Sequence, residues 1–387
     1  MIRNIVFFLF LILISACQFQ KSVDNEVQIA AAEQDSKEVP PFKTTFKYNQ
    51  NIRIQYLDNY RIINILSPWS ESDTLQTYLL YHQQNPISDN WPTVDLRIAT
   101  PVKRIGLMSA SSIGFLNELN AIDLVKAISK KQNVFHSTIR KSVDEGAIAE
   151  LGFFEQIDYE QILGSQLDLF IQTPYSSDLS QDDKLRDLGI PVIYSFDWLD
   201  QSPLGRAEWI KFFALFIDKE AMADSVFNSI EAEYLALKDS ASNFDPNQDV
   251  LVGALFKDIW YMPNGKSYKV QLLNDAGSNY FWKNTSGAGS LSLALESVIK
   301  NQLNAPIWIE APYKTYEELI RANSRYGVFA ATKNKRVFNH LKQMHADGAN
   351  NYWERGICRP NEILSDLIRI FHPQEYKADF YYYEALK

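Results

Sequence analysis

The chain has 387 residues, 46% hydrophobic and 22% charged, the composition of a folded protein long enough for two domains with separate cores. Its formal net charge of −9, with no run rich in Lys and Arg, argues against a nucleic-acid partner, which calls for a basic face. Five scattered histidines and two cysteines, Cys17 and Cys358, leave little material for a metal centre or a disulfide framework.

In chain order, Arg3 and the apolar run Ile5 to Ile14 read as an export signal, too short for the ~20 residues of a membrane span. The run ends in Ile14-Ser15-Ala16-Cys17, which resembles a bacterial lipobox. That resemblance implies a signal peptide over 1–17, diacylglyceryl transfer to Cys17 and cleavage before it, giving an exported chain anchored by lipid and facing the periplasm. With Cys17 lipidated, Cys358 has no partner and reads as a small buried residue. Residues 18–45 are polar, without a sustained period, and contain Pro40-Pro41; they read as a flexible tether.

The stretch "TFKYNQNIRIQYLDNYRIINIL" alternates apolar and polar residues on both sides of Asp58-Asn59, a hairpin signal, and "LQTYLLYH" reads as a further strand. From residue 102 strands alternate with helices. "VKRIGLM", "LDLFIQT" and "IPVIYSF" are expected strands; Ser111 or Ser112 is expected to cap the helix "IGFLNELNAI", and Gly189 to close "SQDDKLRDLG". Arg206 to Asp245 contain neither Gly nor Pro, and their apolar residues recur at three- and four-residue steps. One helix of roughly 30 residues, on the order of 45 Å, is expected there. Beyond it, "DVLVGALF", "APIWIEAP" and "KRVFN" are expected strands, and "SYKVQLLNDAG", "SLALESVIKNQ", "YEELIRAN" and "NEILSDLIRIF" helices. The expected division is an N-terminal α/β lobe over 46–205, a bridging helix over 206–245 and a C-terminal α/β lobe over 246–387.

A helix-then-strand unit occurs twice, as "EQILGSQLDLFIQTPY" from Glu160 and "ESVIKNQLNAPIWIEAPY" from Glu296. With "DLGIPVIYSFDW", "SPLGRAEWIKFFALF", "NDAGSNYFW" and "YWERGICRPNEILSDLIRIFHP" in this order around the long helix, residues 46 to 375 resemble the class III solute-binding proteins of ABC importers, which serve cobalamin, ferric siderophores and haem. The resemblance implies an α/β fold of two lobes with parallel-type sheets, joined by one long backbone helix, with ligand held between the lobes. It also implies that Glu160 and Glu296 dock on arginines of a permease dimer in the inner membrane.

In open α/β sheets ligands bind beyond the carboxyl ends of the strands. The residues expected there are Ser111, Tyr175, Trp198, Lys257, Trp260, Tyr268 and Tyr313, with Tyr261 and Arg206 as further candidates and Trp69 as a weaker one. Their aromatic richness suits a large metal-chelate ligand, and their scarcity of arginine leans toward a corrinoid. His340 and His345 stand five apart and do not share a helix face as an i,i+4 zinc pair would. The Gly-rich "GAGSLS" at 287–292 lacks a phosphate-loop lysine and reads as a flexible turn, and no nucleophile elbow occurs. A monomeric binding protein, without catalytic residues, metal ligands or a cofactor of its own, is therefore the expectation. A zinc or manganese solute receptor is the nearer alternative, a membrane-anchored hydrolase the more distant one.

Overall fold

The computed structural model describes residues 43–387, apart from 71–72, 85–89, 154–155 and 246–247. Cys17, the signal segment and the tether as far as residue 42 lie outside the described residues. The described residues form one compact unit.

The first lobe opens with the expected hairpin: β1 (Ile52–Tyr56) and β2 (Tyr60–Leu66) pair antiparallel. Antiparallel β3 (Thr74–His82) and, parallel to it, β4 (Leu96–Thr100) complete a four-stranded sheet. The α/β part follows: β5 (Ile105–Leu107), α1 (Ala110–Glu118), β6 (Val125–Ile128), α2 (Ser137–Asp144), β7 (Ala149–Glu150), α3 (Tyr159–Gly164), β8 (Leu169–Gln172), α4 (Asp183–Asp187) and β9 (Val192–Tyr194). Its five strands form a parallel sheet in the order β7-β6-β5-β8-β9, so the order reverses between β5 and β8. Every residue of β5, β8 and β9 is buried, as expected of strands covered on both faces. The cap of α1 is Ser109, whose hydroxyl accepts from the Ser112 N–H, and not Ser111 or Ser112.

The expected single long helix is two helices, α5 (Pro203–Ala214) and α6 (Glu220–Ser242). Between them Asp218 adopts φ +54°, a conformation that Asp tolerates better than most residues. Tertiary donors hold the break open. Arg61 of β2 donates to Leu215 O at 2.7 Å and bonds Glu220, and Val102 N donates to Phe216 O at 2.8 Å. The bridge is α6, 23 residues or about 34 Å long. One stripe of α6 serves both cores: Ala223, Phe227 and Ile230 pack in the first, Tyr234 and Ala241 in the second. Buried Glu208 of α5 pins the start of the folded region by accepting the N–H groups of Lys47, Tyr48 and Asn49, each at 2.8 Å.

The second lobe holds β10 (Gln248–Val252), β11 (Leu255–Phe256), β12 (Ile259–Pro263), α7 (Tyr268–Asp275), β13 (Ser278–Asn279), β14 (Ser290–Leu293), α8 (Leu295–Gln302), β15 (Ile307–Ile309), α9 (Tyr316–Ala322), α10 (Ala330–Lys333), β16 (Phe338–Asn339), α11 (Pro360–Phe371) and β17 (Glu384–Ala385). β13-β10-β15 is a parallel sheet, β11-β12-β14 an antiparallel one. Two expected elements are each split in two. "DVLVGALF" breaks at Gly253, φ +74°, leaving β10 in the parallel sheet and β11 in the antiparallel one. The first residues of "SLALESVIKNQ" pair with β12 as β14, so the helix begins only at Leu295. The expected flexible turn at 287–292 is likewise ordered: Ser290 to Ser292 belong to β14, and the Gly287 and Gly289 carbonyls accept from Lys266 and Asn264 at 2.9 Å.

The lobes also meet along a second seam. The π-helical turn Tyr352–Gly356 lies against α1, where a methyl group on Gly114 would come within 2.1 Å of Glu354 O. Glu118 accepts from Arg359 at 2.9 Å and from Arg355 at 3.3 Å, Arg140 bonds Asp347 at 2.7 Å, and the buried Cys358 thiol faces Ser111 O at 3.7 Å.

Candidate functional site

A cavity of about 350 Å³ opens between the lobes. The first lobe contributes the turn after β9, Trp198 to Gln201, with Arg206 from the first turn of α5. The second contributes Val252 and Gly253 at the end of β10, Glu310 directly after β15, Tyr261 to Pro263 of β12, Ser267 to Lys269 at the start of α7, and Trp353. β10 is the central strand of its sheet and β15 its neighbour, so the cavity sits at the carboxyl ends of strands where the order reverses. A larger hollow of about 460 Å³ is lined by first-lobe residues alone and is not part of this cleft.

Four aromatic side chains wall the cavity: Trp198, Tyr261, Tyr268 and Trp353. Tyr175, 68% exposed, packs its ring on Trp198 at 5.4 Å. The outward face of β12 extends the apolar wall, because Ile259 and Tyr261 alternate with buried Trp260 and Met262, and Phe256 of β11 pairs with Ile259.

The charged groups are held in place. Arg206 stacks its guanidinium 3.4 Å from the Tyr268 ring centroid and donates to Asp200 O at 3.0 Å and to Trp198 O. Burial pushes the Asp200 carboxyl up to about 6, against the pull of the Ser202 N–H and Arg206. On the cavity floor Lys269 bonds both Glu310 and the Tyr352 hydroxyl, and Tyr383 donates to Glu310 at 3.0 Å. Burial alone would raise the Glu310 carboxyl; its neighbours, led by the Lys269 ammonium, outweigh it and hold it below its ordinary range. Burial also opposes the charge on Lys269, but Glu310 keeps it firmly protonated. His340, stacked 4.5 Å from Tyr352, is pulled down to about 4 by its burial and is neutral near pH 7. Glu310 adopts φ +60°, unusual for a residue with a side chain and concentrated at functional sites.

Of the residues expected to contact ligand, Trp198 and Tyr268 line the cavity, as do Arg206 and Tyr261, and Tyr175 lies at its rim. Trp260 is a correction. It is fully buried, packs on Trp308, Tyr326 and Phe329, and donates its indole N–H to Val252 O at 2.8 Å. Lys257 sits exposed at the tip of the β11–β12 turn, and Tyr313 packs on Tyr326; neither lines the cavity. Ser111 is buried in the seam, with its carbonyl facing Cys358, and Trp69 packs edge-on against Phe196. Asp200, Lys269, Glu310 and Trp353 escaped the sequence reading. Glu310 did stand within a quoted strand, "APIWIEAP", where a carboxylate directly after the apolar run was the available signal.

Glu160 and Glu296 occupy the same position, the second residue of α3 and of α8, and both are exposed. Each helix precedes a parallel strand, β8 or β15, beside the strand that opens its lobe's sheet, β5 or β10. Glu296 bonds Arg325 at 2.9 Å, while Glu160 stands behind the capping Asp158. Among the described residues no group of three or more His, Cys, Asp or Glu side chains is placed to hold a metal ion, and no helix is long and apolar enough to cross a membrane.

Residues 109–343, more than half of the chain, match the family model described as periplasmic binding protein. Two uncharacterized lipoproteins of Methanocaldococcus jannaschii are 27% identical over 86% of this chain and 83% of the relative, and 25% identical over 74% and 75%. Among solved structures, a periplasmic heme-binding protein of Pseudomonas aeruginosa superposes with a TM-score of 0.56 at 14% identity, over 74% of this chain and 98% of that one. An Fe3+-hydroxamate transport protein of Saccharomonospora viridis gives 0.53 at 15%, over 70% and 94%. A periplasmic vitamin B12-binding protein of Vibrio cholerae gives 0.50 at 14%, over 72% and 99%. At these identities the likeness is one of fold.

Proposed function

The chain belongs to the periplasmic binding protein family, and from that membership we propose that it is the solute receptor of an ABC importer, taking a metal-chelate ligand between its lobes and passing it to the permease. The observation that carries the reading is the cleft itself: its aromatic walls come from both lobes, Trp198 from one and Tyr261, Tyr268 and Trp353 from the other. Such walls suit a broad, weakly polar ligand, and a cavity of about 350 Å³ holds part of a corrin, porphyrin or siderophore complex while the remainder lies along the exposed Tyr261–Ile259–Phe256 face. The likeness to binders of heme, vitamin B12 and ferric hydroxamate supports the same class.

In this reading the protein is exported, anchored through lipid on Cys17, and docks on a permease dimer through Glu160 and Glu296. Two relatives named as lipoproteins support the anchor. The test is the visible absorption spectrum of protein purified after incubation with a corrinoid, a ferric siderophore or haem, followed by calorimetry on the ligand that copurifies. Retention of one chelate at a ratio of one to one is the expected result; retention of none sinks the reading.

A further inference from the structure

We propose that the cleft selects an uncharged ligand that presents hydrogen-bond donors and acceptors side by side, as primary carboxamides do, and that the Lys269–Glu310 pair enforces this choice against polyanionic chelates. The proposal rests on the chelate-receptor reading above and narrows it to one ligand class.

The cavity is lined by two cations, Arg206 and Lys269, and two carboxylates, Asp200 and Glu310. Both cations are already engaged. Arg206 lies on the Tyr268 ring and donates to two backbone carbonyls, while Lys269 bonds Glu310 and the Tyr352 hydroxyl. An incoming anion therefore meets a carboxylate whose own partner it must take. The pair is deeply placed, with side-chain exposures of 6% for Lys269 and 16% for Glu310, so taking Lys269 away leaves a buried carboxylate uncompensated, a costly arrangement. His340 behind the pair adds no positive charge near pH 7 to offset this.

For an uncharged polar ligand the same atoms are complementary. An ammonium carries three N–H donors, and Lys269 spends two on Glu310 and Tyr352. Glu310 accepts both Lys269 and Tyr383 on Oε1. The third ammonium N–H and Glu310 Oε2 thus form a donor beside an acceptor, matching the carbonyl and amino group of one carboxamide. The left-handed backbone at Glu310 and the Tyr352 and Tyr383 hydroxyls fix this pair before ligand arrives, so little ordering is lost on binding. Specificity of this kind comes as much from repelling the wrong ligand as from holding the right one.

The test is calorimetry on the purified protein with four probes. Two are uncharged and amide-bearing: cyanocobalamin, and a neutral ferric trihydroxamate. Two are anionic: haemin, with its propionates, and a ferric tricatecholate. We expect one uncharged probe to bind at least about tenfold more tightly than either anion, the two arms telling corrinoid from hydroxamate. Glu310→Gln keeps the shape and removes the repelling charge; it should bring the ratio to about threefold or less, chiefly by strengthening anion binding. Should that variant not fold, the wild-type affinity for the preferred probe decides: it should change by less than about twofold between low and high salt, because no net charge is neutralised on binding. Tighter binding of an anionic probe by the wild type, an unmoved ratio in a folded Glu310→Gln protein, or steep salt dependence would each overturn the charge filter while leaving the chelate receptor standing. Failure of all four probes to bind would instead remove the receptor reading itself.

Discussion

Glu118, near the end of α1, accepts from Arg359 Nε at 2.9 Å across 241 positions of sequence, tying the first lobe to the turn that leads into α11. Arg355 reaches the other oxygen of the same carboxylate at 3.3 Å. The Glu118 side chain is 8% exposed, and Arg359 and Arg355 are 25% and 38% exposed, so this is a half-buried clasp. Glu118→Ala leaves Arg359 without this anion, while Arg355 keeps Glu362, and should cost about 2 kcal/mol, read as a shift in the urea midpoint. With this clasp gone and the Arg140–Asp347 and Phe135–Glu354 ties remaining beside α6, solution scattering should show a somewhat larger ligand-dependent change in radius of gyration than in the wild type, where a small change is expected.

The same seam should respond to pH. Glu354 accepts the Phe135 N–H at 2.6 Å, yet burial pushes its carboxyl up to about 7 from an ordinary 4.5, the backbone N–H groups and Arg140 pulling only weakly the other way. Its folded value lies above its unfolded one, so the folded state holds the proton longer. Its contribution to stability is therefore full below about 4.5 and lost as pH rises through 7. Glu354→Gln mimics the protonated form. It should match the wild type below about pH 4 and exceed it at pH 8 by up to about 3 kcal/mol in chemical denaturation. Asp200 and Asp366 are shifted in the same direction and remain in both proteins, so the difference isolates Glu354.

Two tryptophans separate core from cleft. Trp260→Ala empties a fully buried site among Trp308, Tyr326 and Phe329 and should cost about 3–5 kcal/mol of stability. Trp198→Ala should lower ligand affinity about tenfold or more while moving the thermal midpoint far less. Calorimetric titration beside thermal denaturation of the two variants checks both.

The paired helix starts carry the transport prediction. Glu160→Ala and Glu296→Ala should each leave folding and ligand affinity intact and weaken uptake, and the double variant should approach loss of transport. A close interfacial charge pair is worth roughly 2–5 kcal/mol when desolvated and little at a wet rim. Glu296 must exchange Arg325 for its new partner. Uptake in cells, set beside affinity of the purified variants, is the measurement; normal uptake by the double variant would refute docking through these residues.

Anchoring is read most directly by labelling cells with a fatty-acid analogue. Wild type should carry the label and Cys17→Ser should not; equal labelling would count against lipid on Cys17.

The sequence by itself determined what depends on local pattern. Alternation on both sides of Asp58-Asn59 fixed the first hairpin, the apolar runs before Gln172 and Glu310 fixed the parallel strands, and Gly189 and Gly277, both at positive φ, ended their helices where expected. The repeated unit placed Glu160 and Glu296 at equivalent helix starts because a helix N-terminus is written in its first few residues. What tertiary structure decided were the choices between local alternatives. Nothing between Arg206 and Asp245 forbids a continuous helix; Arg61 and Val102, distant in sequence, take the carbonyls at Leu215 and Phe216 and let the chain turn at Asp218. Ser290–Leu293 became a strand because β12 offered it an edge. Trp260 and Tyr261 are neighbours in sequence, and only the facing sheet, by burying one side of β12, sent the first into the core and the second to the cleft. Lys269 and Glu310 stand on different segments of the second lobe, and their pairing on the cavity floor exists only once the start of α7 meets the turn after β15.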